Sequence, residues 1–126
     1  MRDLTGKELT ENEVTELIRS ACAYKAKLWR IPAGVYRVSD RAGTRYIRVA
    51  DKGYPDLSGY RLKDGKAVFI EVKKESGRMS QEQKDYARFL NNHNVLYGVA
   101  RSPEDALMII DGKWNQEWNE KGRKQK

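Results

Sequence analysis

The sequence predicts an α/β domain: a mixed β-sheet with helices on both faces. Three observations predict it. Two β-rich runs flank the dipeptide Asp64-Gly65, a strong short-range hairpin signal. The second run, Ala67 to Lys73, is followed by a helical stretch and then by Val95-Leu96-Tyr97-Gly98-Val99-Ala100, a short apolar run with the look of a buried strand. A strand, a helix and a strand in that order form a crossover between parallel strands. The helical stretches also carry their own start signals, Thr10 with Glu13 and Ser80 with Gln83, each at capping-box spacing.

Taken in order, the chain opens its first helix at Thr10. Val14, Leu17, Ile18, Ala21 and Cys22 recur at helical spacing and predict one buried stripe. Leu28-Trp29-Arg30-Ile31 reads as a strand, broken by Pro32-Ala33-Gly34. Val35 to Val38 and Tyr46 to Val49 read as two more, with a turn over residues 39–43 between them. Arg30, Arg37, Arg41, Arg45 and Arg48 are interleaved there with Trp29, Tyr36 and Tyr46. That pattern suits contact with a nucleic-acid backbone and its bases, and equally suits a half-exposed sheet with a solvated face. Ser80 caps the next helix, whose apolar side is Tyr86, Ala87, Phe89 and Leu90; His93 sits in its last turn. Ser102-Pro103 starts a final helix that Gly112 closes. Trp114 and Trp118, four apart, suggest a further helical stretch that serves a core or an interface.

The 126 residues suit one domain, expected over 1–118, followed by a basic tail over 119–126. The net charge of +7 suggests a polyanionic partner, discounted by a tail that alone holds four basic side chains and one acidic. No apolar run approaches a membrane span and the first residues lack a signal peptide's apolar core, so no membrane partner and a cytoplasmic location are expected. Cys22 is the only cysteine, which rules out an intrachain disulfide, and a single histidine rules out a histidine-rich metal centre.

The chemistry gathers on the hairpin. Alternation puts Val68, Ile70 and Val72 on one face of the second strand, and Phe69, Glu71 and Lys73 on the other. A closed hairpin lets Asp56 reach Glu71. Two carboxylates together repel unless a cation lies between them, and hard cations such as Mg²⁺ prefer oxygen donors. The ordinary alternative is a surface salt-bridge cluster, common and worth little.

Gly53-Tyr54-Pro55-Asp56, then Glu71-Val72-Lys73, then the Gly77 turn and Ser80-x-x-Gln83 resemble, in that order, the VRR-NUC (virus-type replication-repair nuclease) family of the PD-(D/E)XK superfamily. The resemblance covers roughly Glu13 to Leu107. It implies a restriction-endonuclease-like core and Mg²⁺- or Mn²⁺-dependent cleavage of DNA phosphodiester bonds. It makes Asp56, Glu71 and the main-chain carbonyl of Val72 metal ligands, with Lys73 catalytic. Glu13, acting through a metal-bound water, and Gln83 would join the site, although each also reads as a plain helix cap; Glu16 is the second choice on the first helix. Arg30, Lys74 and Arg78 are candidates for nucleic-acid contact. Stand-alone members imply a homodimer acting on branched, Holliday-junction-like DNA in phage or bacterial replication or repair, with Trp114, Trp118 or the Tyr36 to Ile47 hairpin as interface. Two competing readings are a catalytically silent binding module of the same fold and a small structural or interaction protein.

Overall fold

The computed structural model describes residues 1–114; the basic tail and Trp118 lie outside the described residues. The elements run α1 (Glu11–Ala21), β1 (Ala26–Arg30), β2 (Gly34–Asp40), β3 (Gly43–Ala50), β4 (Leu57–Arg61), β5 (Ala67–Val72), α2 (Gln81–Asn91), β6 (Leu96–Ala100) and α3 (Pro103–Ile110). Four strands form one sheet in the order β1-β4-β5-β6, and β2 and β3 form a separate two-stranded ribbon.

The Asp64-Gly65 turn behaves as its sequence predicts. Arg61 N–H donates to Lys66 O at 2.8 Å and Gly65 N–H to Arg61 O at 2.8 Å, while the Arg61 guanidinium holds the Asp64 carboxylate at 2.7 Å. Leu57 then pairs with Ile70 and Ser58 with Phe69, antiparallel. β5 pairs with β6 in parallel, Glu71 opposite Val99, as the strand–helix–strand order requires. β1 closes the other side against β4, antiparallel. Gly59 is needed there, because a Cβ would run into the carbonyl of Lys27.

The two faces of the sheet are chemically unlike. Val68, Ile70 and Val72 are fully buried and meet Val14, Ile18 and Cys22 of the α1 region and Ala106, Ile109 and Ile110 of α3. Burying one such aliphatic side chain contributes about 1.5–3 kcal/mol. Below the opposite face, Leu90 of α2 packs with Tyr97 and Val99, with Phe69, Met79 and Tyr86 around them. Helices thus lie on both faces, but unequally.

The helical stripes are narrower than the periodicity predicts. On α1 the buried residues are Val14, Thr15 and Ile18, whereas Leu17 is 42% exposed and Ala21 faces water. Thr15 takes the inner position at no polar cost, because its hydroxyl donates to Glu11 O at 2.7 Å. On α2 only Leu90 is buried, and Phe89 lies largely exposed beside His93, whose Nδ1 stands 2.8 Å from Phe89 O. Trp114 is not helical. Its ring stands edge-on to Tyr97 at 6.2 Å and packs against both core clusters, so it belongs to the core rather than to a free surface.

Candidate active site

β5 builds the centre of the site. Its period-two alternation carries Glu71 and Lys73 to the α2 side. Glu71 is 1% exposed and Lys73 6%. That speaks against the alternative of a solvated surface salt-bridge cluster: both charges are taken out of water, which costs heavily unless each has partners. Lys73 Nζ lies 3.6 Å from Glu71 Oε1, and its main-chain N–H donates to Ala100 O at 3.0 Å, which fixes the strand end.

Asp56 reaches the same point from the start of β4. Its main-chain carbonyl accepts from Ile31 N–H at 3.1 Å, and its Oδ2 accepts from Val72 N–H at 2.9 Å. The carboxyl is thereby pinned to the edge of β5 where the ladder with β4 has ended. It also lies within hydrogen-bonding reach of Glu71. Burial first, and the Asp56 carboxyl second, push Glu71 up to about 9; Lys73 pulls the other way and is outweighed. Glu71 therefore holds a proton at neutral pH while nothing else neutralises the pair.

Gln83 comes from the first turn of α2. Its backbone N–H donates to Ser80 Oγ at 3.2 Å, its Oε1 accepts from Ser80 N–H at 2.9 Å, and its Nε2 donates to Glu71 Oε1 at 3.0 Å. The amide has one end for each task, so the cap and the contact with Glu71 coexist. Gly53, at φ +89°, lets the chain before Asp56 press onto this helix start; a Cβ there would collide with the carbonyl of Glu82.

Glu13 behaves differently. It forms the expected box with Thr10, accepting from Thr10 N–H at 3.1 Å, and is exposed. Glu16 is exposed and lies 3.5 Å from Arg19. The α1 carboxylate that acts on Glu71 is Glu11, whose charge helps raise the Glu71 pKa and whose Oε2 stands against the Gly77 turn. Two residues along a helix turn the side chain by about 200°, so Glu11 and Glu13 cannot face the same way. Sequence reading missed Glu11 because the apolar stripe that orients α1 is centred on Val14 and Ile18 alone. Tyr97 was also missed. It is buried, and burial together with the charges of Glu71 and Asp56 raises its pKa. The parallel register of β6, which sets it on the Glu71 side, has no local signal.

Arg30 donates to the side chain of Asn12, and Lys74 and Arg78 are exposed on the loop after β5. The Arg101 guanidinium clamps that loop, donating to Lys74 O at 2.8 Å and Gly77 O at 2.7 Å.

The donor set fits a hard divalent cation in part. Two facing carboxyls, one of them forced to keep a proton, form an oxygen site short of positive charge. Among the described residues no three His, Cys, Asp or Glu side chains are gathered into a protein-only cage. A cation here would complete its shell with water and phosphate oxygens, as Mg²⁺ usually does.

Among the described residues, no helix is long and apolar enough to cross a membrane. No curated protein matches the chain. The VRR-NUC domain family matches residues 8–104, and the mixed sheet with its three helices agrees with the PD-(D/E)XK-like nuclease fold. With more than half of its length matched and Asp56, Glu71, Lys73 and Gln83 converging at the strand ends, the chain belongs to the VRR-NUC domain family, a family of nucleases.

Proposed function

We propose that the protein hydrolyses DNA phosphodiester bonds in a Mg²⁺- or Mn²⁺-dependent reaction centred on Glu71. The observation that carries this reading is the buried Glu71, set against the half-buried Asp56 carboxyl, with Lys73 3.6 Å from Glu71 Oε1. A stability device would not bury a carboxyl and an ammonium against a second carboxyl this way, since apolar residues of similar size do as well or better. Asp56, Glu71 and the Val72 carbonyl would hold the cation. Val72 N–H already points at Asp56 Oδ2, and a strand residue turns its N–H and C=O toward the same neighbour. The cation supplies a Lewis acid for the phosphoryl oxygen and the attacking water. Binding it requires Glu71 to release its proton. Lys73 stabilises negative charge that develops on the phosphorus oxygens. Gln83 fixes the rotamer of Glu71 through Nε2 while its other end is tied to the helix start. Glu11 adds negative charge to the rim of the site. In this reading Glu13 stays with the cap.

The proposed substrate is branched, Holliday-junction-like DNA, a task in replication or repair, cut by a homodimer whose two sites are related as the two strands are. Trp29 and Tyr60, 6.0 Å apart and exposed where α2 leaves the β1–β4 half of the sheet uncovered, offer the aromatic surface that stable interfaces use. The test is cleavage of junction, flap, duplex and single-stranded DNA with Mg²⁺, Mn²⁺ or EDTA, alongside light scattering. Paired nicks across junctions by a species of twice the chain mass support the whole reading. Binding without metal-dependent cleavage of any substrate returns the chain to a silent nucleic-acid-binding module.

A further inference from the structure

The β2–β3 ribbon serves neither core nor catalytic site. Every residue of β3 except Ala50 is exposed, and so is most of β2. An isolated two-stranded ribbon is only marginally stable in water, and no other strand or helix makes more than slight contact with it. Cross-strand partners share a face. The register Val35↔Arg48, Arg37↔Tyr46 and Ser39↔Thr44 therefore gathers Arg37, Tyr46 and Arg48 on one side. Asp40, the ribbon's single acid, is taken by Arg45 at 2.6 Å, and among the described residues Arg37, Arg41 and Arg48 have no ion-pair partner. At the ribbon's base Arg48 lines an open cleft of about 440 Å³ with Ile31, Asp51, Tyr54 and Tyr86. Tyr54 packs edge-on to Phe69, on the Glu71 side of β5, and stands two residues before Asp56, so the base of the ribbon, where Arg48 lies, adjoins the candidate active site.

We infer that the ribbon is a duplex-gripping arm, resting in the major groove beside the scissile phosphate with Arg37 and Arg48 on backbone phosphates. The inference rests on the DNA-nuclease reading. A major groove about 12 Å wide admits a two-stranded ribbon, and a strand of this length reaches roughly 23 Å, several base steps. The charge argues against a second copy as the occupant. A two-fold contact would set the same arginine-rich side against itself, whereas a phosphate backbone is complementary.

The experiment is fluorescence anisotropy of a labelled duplex, in EDTA so that nothing is cut, across a salt series. R37Q/R48Q is compared with the native protein and with R19Q, a change at a half-exposed arginine on α1. All three sites lie outside the core, so an unchanged melting temperature checks the fold. Loss of two phosphate contacts lowers the slope of log affinity against log salt by about 1.8, so the native protein's affinity falls about tenfold more than the variant's between 50 and 200 mM salt. R19Q keeps the native slope. A native slope in R37Q/R48Q, an equal loss on single-stranded DNA, or a changed sedimentation mass with duplex binding intact overturns the inference. Ribbon-dependent duplex binding by a protein that never cuts supports the arm and defeats only the nuclease reading. Metal-dependent cutting by an R37Q/R48Q protein that binds as the native one does defeats only the arm.

Discussion

α1 and α2 open on the same device. Thr10 with Glu13 and Ser80 with Gln83 each form a complete capping box, with both reciprocal hydrogen bonds in place. Yet Glu13 ends in solvent, while Gln83 spends its remaining amide group on the buried Glu71. The difference lies in what stands opposite each helix start. α2 begins against the end of β5, held close by Gly53. α1 packs across the apolar face of the sheet and offers only Glu11 to the site. A cap motif therefore reports a helix start and says nothing about a second role.

The sharpest way to break the contrast is at Glu71 itself. Glu71→Ala or Lys73→Ala should lower the cleavage rate by a factor on the order of 10²–10³ or more, the scale of losing one preorganised charge-stabilising group. Metal-dependent cleavage at the native rate in Glu71→Ala would remove the basis of the site. Next comes the pair of caps. Gln83→Ala should cut activity or metal affinity by about 10–100-fold, as loss of a supporting hydrogen bond to a metal ligand does; Glu13→Ala should leave turnover unchanged. Both lose a cap interaction, about 1 kcal/mol or less of stability, and Gln83→Ala also leaves the buried Glu71 Oε1 without that donor, about 1–3 kcal/mol more, so its melt should fall further and only its activity should drop. Equal activity losses would dissolve the contrast.

A third outcome concerns pH. The folded-state pKa of Glu71 is raised, to about 9, above its ordinary value of 4.5. The native state therefore binds more protons than the unfolded state across that interval. The stabilising contribution is complete below the unfolded value and is lost as pH rises through the folded one. Metal-free protein should lose stability from about pH 5 to pH 9, and Glu71→Gln should flatten that decline. A decline of native steepness in Glu71→Gln assigns the titration elsewhere. Gly53→Ala tests the seating of α2: its positive φ costs about 1–3 kcal/mol of strain and its Cβ meets the Glu82 carbonyl, read as a lower melting temperature with activity reduced through Gln83.

Much of this was legible beforehand because it rests on local chemistry. The Asp64-Gly65 hairpin needs only a turn that tolerates its backbone, and the alternation from Val68 to Lys73 needs only the pleat. The burial of Glu71 was not legible. Its strand-mates on the same face are Phe69 and Lys73, and a strand with one polar face looks the same whether water or α2 covers that face. Leu17 and Phe89 were placed inside on periodicity, but the sheet is too narrow to cover the full width of either helix, and both stay exposed.

The sequence by itself determined the order of elements, the reach of Asp56 to Glu71, and membership in a nuclease family through ordered motifs. Only the tertiary structure decided that the charge of Glu11 bears on Glu71 while Glu13 closes its cap in solvent, that Gln83 both caps and touches Glu71, and that Trp114 is core. The physical reason is the same in each case. Helix rotation, sheet width and the seating of one element on another are set by packing between segments distant in the chain. No residue spacing within one segment encodes which neighbour will stand across from it.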